Sequence, residues 1–315
     1  MKMKYTLLFI LLIGGALHLS ADEPIQPIPK TIPYDHKKAE LGRLLFMDPM
    51  LSSDGTVSCH SCHDFDHGGA DPRPVSIGVH GKPGNVNAPT VFNSYFNFRQ
   101  FWNGRAKDLK DQANGPLHNP VEMDMIPKEI ETYISKNGYY NRLFREVFHS
   151  EPSYPKALEA IAEFEKALIT PNCRFDRYMR GEIELSAMEK KGYRLFKTLG
   201  CITCHNGINV GGNSYQKFGL IFPYVWRAEN PDRYAITHDP KDKNVYKVPT
   251  LRNIALTAPY FHDGSAKSLE ESLRKMGHHN LGFELEEEEI TALKAFLNAL
   301  TGEKPAILRE GGRKR

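Results

Sequence analysis

The sequence has little net charge to explain. Its 41 Lys and Arg stand against 38 Asp and Glu, a formal charge of +3 over 315 residues. Removing the first 21 residues takes away Lys2 and Lys4 and no acid, which leaves 3 − 2 = +1. So balanced a chain lacks the basic surface that nucleic acid attracts. Cysteine is scarce as well. There are five, and four of them fall in two short motifs, so no disulfide framework is available. Cys173 stands apart and reads as a small buried thiol. Past the amino terminus no stretch is long and apolar enough to span a membrane. Strand signals are few, which counts against a sheet protein.

The amino terminus has the parts of a secretory signal. Lys2 and Lys4 form a basic start, Leu7 to Ala16 is apolar, and the small residues Ser20 and Ala21 follow. Cleavage is expected near Ala21, which makes the mature protein periplasmic; an uncleaved anchor is the alternative for this segment. The remaining length suits two modest domains.

Two copies of one pattern stand out: Cys59-His60-Ser61-Cys62-His63 and Cys201-Ile202-Thr203-Cys204-His205. Cys-x-x-Cys-His is the spacing of a c-type haem attachment site. Each thiol can form a thioether with a haem vinyl group, and the adjacent histidine can reach the iron. A lone Cys-x-x-Cys also serves zinc sites, redox dithiols and disulfides. Two copies, each with the trailing histidine, in an exported chain select covalent haem.

The rest of the chain is organised around these motifs. Pro24, Pro27, Pro29 and Pro33 predict an extended leader lying over the surface. Helices are expected at 37–46, 128–148 and 156–168, with a domain boundary at Thr170-Pro171-Asn172. A further helix over 186–198 starts with the capping-box pattern Ser186-Ala187-Met188-Glu189. Helices over 269–276 and 286–300 close the chain. Residues 64–120 and 206–260 are rich in Gly, Pro and Asn and read as long irregular loops that a haem would fill. The expected fold is mainly α: two cytochrome-c-like domains over 22–170 and 171–302, each wrapping one haem, and a tail over 303–315. Each repeats the order helix, haem motif, Gly-rich loop, later helices.

Haem function turns on the second axial ligand: methionine favours electron transfer, and an open position favours peroxide or oxygen chemistry. Met276 is the only methionine after the second motif and is the natural ligand there. A peroxide-reducing haem also needs an acid/base group, and Glu122 in the loop Pro120-Val121-Glu122-Met123 is a candidate.

Several blocks resemble the bacterial di-haem cytochrome c peroxidases. They are Asn87-Ala88-Pro89-Thr90-Val91-Phe92-Asn93, Gln100-Phe101-Trp102-Asn103-Gly104-Arg105-Ala106, Gly115-Pro116 and Val121-Glu122-Met123 in the first half. The second half adds Pro249-Thr250-Leu251-Arg252-Asn253, Thr257-Ala258-Pro259-Tyr260-Phe261-His262 and Met276-Gly277. The resemblance covers nearly the whole mature chain. It implies a low-potential peroxidatic haem first and a high-potential haem second. His63 and His205 would be proximal ligands, Met276 the second haem's axial ligand, Glu122 the distal acid/base, and Trp102 the residue between the haems. It also implies calcium between the domains, held by Asn87 and the carbonyls of Thr257 and Pro259; oxygen ligands of this kind suit calcium. Many members close the first haem with a distal histidine ending a Ser-x-Gly-His stretch. Here the stretch reads Ser76-Ile77-Gly78-Val79, with His80 one residue late. His80 is the candidate latch of a loop freed by Gly78, Gly81 and Gly84.

The expected function is peroxide reduction to water with electrons from a small cytochrome c or cupredoxin, by a homodimer. Two alternatives are a di-haem enzyme that oxidises a protein partner and a plain di-haem electron carrier. Relatives of the first kind carry an axial tyrosine where this chain has Met276.

Overall fold

A computed structural model describes residues 23–226 and 231–310. The expected signal segment lies outside the described residues. Helix dominates, in the order α1 (His36–Phe46), α2 (Leu109–His118), α3 (Pro127–Lys136), α4 (Gly138–Phe148), α5 (Tyr154–Lys166), α6 (Arg174–Met179), α7 (Ala187–Thr198), α8 (Tyr234–Thr237), α9 (Leu269–Met276), α10 (Glu287–Asn298) and α11 (Ala306–Glu310). Two three-residue strands, β1 (Tyr215–Lys217) and β2 (Val245–Lys247), pair antiparallel. Among the described residues no helix is long and apolar enough to cross a membrane.

The same helix pair occurs twice. α1 crosses α5, and α7 crosses α10. Each crossing is closed by a glycine against an alanine carbonyl. A Cβ on Gly42 would lie 1.9 Å from the Ala160 oxygen, and one on Gly192 would lie 1.9 Å from the Ala292 oxygen. The next contact also repeats: Phe164 Cβ and Phe296 Cβ each stand 2.9 Å from that added atom. Position 160 thus matches 292, 164 matches 296, and 165 matches 297. The internal repeat expected from the two motifs is a repeat in three dimensions.

Local signals explain the helix ends. Asp35 caps α1 by accepting from the Lys37 and Lys38 amides. Ser186 and Glu189 close the expected capping box on α7, with Glu189 N–H donating to Ser186 Oγ at 3.2 Å and Ser186 N–H donating to Glu189 Oε2 at 2.7 Å. The expected helix over 128–148 is two helices. Asn137 ends α3 and caps α4, accepting from the Tyr139 and Tyr140 amides, and Gly138 starts afresh. The stretch over 64–120, read as irregular, contains α2. Asp108 caps it, and Leu109, Ala113 and Leu117 form its buried stripe; Gly115-Pro116 near its end hid the period.

The leader does not simply lie over the surface. Ile25 and Ile28 are fully buried, and Ile25 joins the core of the second domain. It is held there by Gly207 N–H donating to Pro24 O at 2.7 Å and by Arg252 Nη2 donating to Gln26 O at 2.8 Å. The tail does the opposite. Ile307, on α11, is buried in the core of the first domain, and Glu303 N–H donates to Pro171 O at 2.8 Å. Each terminal segment therefore completes the domain remote from it in sequence.

Candidate active site

Both Cys-x-x-Cys-His motifs fold as one short turn. The fourth residue's amide bonds back to the first cysteine's carbonyl, at 3.2 Å for Cys62 and 3.3 Å for Cys204. The histidine amides make the same bond at 3.0 Å in both copies, His63 to Cys59 and His205 to Cys201. Cys59, Cys62, Cys201 and Cys204 are free and half-buried. His63 Nδ1 faces Gly69 O at 3.3 Å. His205 Nδ1 is buried without a hydrogen bond, although the Val210 and Pro249 carbonyls act on it. Burial lowers the pKa of both rings, that of His205 to about 4. Both imidazoles are therefore neutral at pH 7, the form that binds iron. Four unbridged thiols and two neutral imidazoles supply attachment points for two haem c groups, and a cleft beside the first motif has room for one of them.

That cleft encloses about 1310 Å³ of free space, part of it open to solvent. Cys59, Cys62 and His63 line one part of it; Phe101, Trp102, Arg105, Glu122 and Met123 also line it, and α5 adds Ile161 and Glu165. Glu122 is half-buried, and burial raises its pKa against the opposing pull of Asn119 and Arg105. Asn119 Nδ2 donates to Glu122 Oε1 at 2.5 Å. The Arg105 guanidinium lies 3.4 Å from the centre of the Phe101 ring. This puts a carboxyl group, a fixed amide and a cation in one cleft with the first haem motif.

His80 lies outside the cleft. Its side chain is 57 % exposed, with Nδ1 3.6 Å from Asp54 Oδ2, and its amide donates to the same oxygen at 2.7 Å. The loop that carries it still touches the site, because Val79 N–H donates to Glu122 O at 2.9 Å.

Trp102 stands where the domains meet. It lines the first cleft, its Nε1 donates to Asn87 O at 2.9 Å, and its carbonyl accepts from Lys247 N–H at 2.8 Å. Asn87 is buried; its Nδ2 donates to Arg73 O at 2.9 Å, and its amide donates to His262 O at 2.7 Å. That last bond brings the loop of Thr257 and Pro259 beside Asn87. Among the described residues no group of three or more His, Cys, Asp or Glu could hold a metal ion, so a cation there would rest on amide and carbonyl oxygens. Met276 is the last residue of α9, half-buried, and leads into a π-helical turn over Gly277–Leu281.

Three polar residues escaped the sequence reading. Lys247 is buried, and desolvation lowers its pKa to about 8. His262 is buried with Nε2 unpartnered, 6.0 Å from Trp102 and 3.7 Å from Trp226 between ring centres. Glu165 is buried in the first cleft. Lys247 and Glu165 are charged residue types that read as solvent-facing, although helical spacing places 165 on the same stripe as Leu158, Ile161 and Leu168; for His262 the signal was its place in a quoted block.

Comparison with known proteins agrees with this geometry. A family model described as di-haem cytochrome c peroxidase matches residues 36–184, and one described as cytochrome c matches 189–301. The chain is 46% identical over 289 residues to cytochrome c551 peroxidase of Nitrosomonas europaea, covering 91% of this chain and 86% of that one. It is 46% identical to cytochrome c peroxidase Ccp of Escherichia coli over 89% of this chain and 62% of that longer protein. Among solved structures, a MauG-like protein associated with microbial copper homeostasis superposes with a TM-score of 0.79 at 31% identity, covering 91% of this chain and 95% of that one.

Proposed function

Since the chain belongs to the di-haem cytochrome c peroxidase family, we propose that it reduces hydrogen peroxide to water at the first site, with electrons entering through the second. The observation that carries this reading is Glu122, a carboxyl of raised pKa in the cleft that also holds Cys59, Cys62 and His63. When bound, the haem supplies the redox-active iron that passes electrons to peroxide. Glu122 takes the proton from one peroxide oxygen and returns it to the other, which leaves as water. Asn119 fixes the orientation of the carboxylate, and Arg105 at the mouth favours its charged form. Overall, one peroxide, two electrons and two protons give two waters.

The finer assignments have separate supports. Trp102 contacts both domains through hydrogen bonds, which suits the position between the haems. Met276 sits at a helix end beside a tight turn, and we assign it as the second haem's axial ligand; the far-red methionine–iron band of the ferric protein should vanish in Met276→Ala. The electron donor is read as a small cytochrome c or cupredoxin, in the periplasm, with the enzyme a homodimer. An axial methionine in place of the tyrosine of protein-oxidising relatives favours peroxide as the substrate.

Glu122→Gln tests the central claim. Loss of a positioned proton-transfer group costs ~10²–10⁴ in rate, and peroxide turnover should fall by that order with both haems still attached by mass. The parent's rate should also rise with pH as Glu122 ionises, through a pKa above the ordinary glutamate value. That limb should disappear in the variant. Near-parental turnover would assign proton transfer to another group.

A further inference from the structure

The internal repeat exposes one residue that packing does not explain. Position 165 on α5 corresponds to position 297 on α10, because 160 and 164 correspond to 292 and 296. In the second domain that place is Leu297, 3 % exposed, an ordinary core residue. In the first domain it is Glu165, 4 % exposed. Its Oε2 is buried with no hydrogen-bond partner. Ser94, on the turn Ser94–Phe96 packed against α5, likewise has a buried and unpartnered hydroxyl. Both residues line the cleft of the first haem motif. An unpaired acid in a core costs stability relative to leucine, so its presence in one copy of the fold alone points to a task at the first haem.

We propose that Glu165 is the proton partner of the first haem's redox change, taking up one proton from solvent when that site gains one electron. The inference rests on the di-haem reading. The physical basis is charge. An added electron makes the neighbourhood more negative, and a nearby carboxylate in a poorly screened interior answers by binding a proton. The electron comes from the donor that the peroxidase reaction already requires, and the carboxylate becomes a neutral acid. Burial supports the same direction, raising the pKa of Glu165 to about 8, so the carboxyl is ionised, and able to take up a proton on reduction, from mildly alkaline pH upward.

Other charged groups face the same space and must be separated from it. Cys59, Cys62 and His63 come from the motif, and Arg105 and Glu122 from elsewhere in the lining. From the elements packed on α5, α1 contributes Phe46 and α2 contributes the neutral Gln112. The charged contacts between α1 and α5, Lys38 with Glu159 and the Asp35 amide with Glu163, involve partly exposed side chains that do not line the cleft.

The test is a spectroelectrochemical titration of the first haem against pH, on protein shown by mass to carry both haems. A protein without haem would overturn the functional reading itself, separately from this proposal. The parent's midpoint potential should fall with rising pH by one proton per electron over a window that opens near pH 8 and extends upward. Glu165→Gln should flatten that slope, whereas Glu122→Gln should keep it. Glu165→Leu reproduces the second domain's arrangement; it should fold, melt no lower than the parent, and also lose the slope. A slope that persists in Glu165→Leu would overturn the proposal, as would a parent potential independent of pH.

Discussion

Arg252 is a heavily bonded buried charge. It is 1 % exposed, and its Nη1 lies 2.5 Å from Asp176 Oδ1. The same nitrogen also donates to Cys173 Sγ, while Nε donates to Ile208 O and Nη2 to Gln26 O. Removing one member of a buried ion pair strands the other and costs ~3–5 kcal/mol. Arg252→Ala is therefore expected to lower the melting temperature markedly while leaving haem attachment by mass intact; an unchanged melt would mean the pair contributes nothing net. Cys173 has a local part as well as its contact with Arg252. It caps α6, accepting from Asp176 N–H at 3.2 Å, and burial pushes its thiol up to about 12, which agrees with the inert thiol read from sequence. At this scale the sequence named residues that the structure brings together, the first haem motif and Glu122 in one cleft. It hid Glu165 and Lys247, because burial of a charged residue is decided by what packs against it from distant segments.

At the scale of elements, α1, α5, α7, α9 and α10 were readable because their caps and apolar periods are local. α2 was missed, since Gly115 and Pro116 obscure a stripe that only tertiary contact rewards. The loop carrying His80 is held at its base beside the Glu122 segment. An isolated bridge pairs Ile77 with Pro83, and Gly78 N–H donates to Lys82 O at 2.8 Å. A Cβ on Gly78 would lie 2.0 Å from Val121 O, so the loop's base is pressed against the Glu122 segment while its tip points away. We propose that this unit swings as a whole, bringing His80 onto the first haem in the oxidised enzyme and releasing it on reduction. On this view His80→Ala, fully oxidised, turns over peroxide without prior reduction and gains a high-spin ferric signal. A parent already high-spin and active when oxidised would rule the latch out.

For the whole molecule, the junction around Asn87, Trp102, His262 and Lys247 joins the two haem domains. Calcium ligated by Asn87 with the carbonyls of Thr257 and Pro259 would pin that junction. We expect about one calcium per chain by elemental analysis, and a chelator to lower the melting temperature and slow electron passage between haems. Calcium-free protein with unchanged melting and turnover would remove the ion from the account. The repeat was legible because the haem motif recurs, and the structure repeats the helix pair around it; the interlocking of the two cores was not, since the contacts of Ile25 and Ile307 join residues from opposite ends of the chain.

The crossed terminal segments impose an order on assembly. A chain made from its amino terminus outward presents the leader first, yet its seat among Gly207, Arg252 and the second core forms only after two-thirds of the sequence has followed. The first domain, although made early, lacks Ile307 until the final residues arrive. The first half is not complete at the moment its own sequence ends, whereas the second then finds its leader already made. The half that came first closes last, so a truncated product carries an unfilled core there, where a protease can find it.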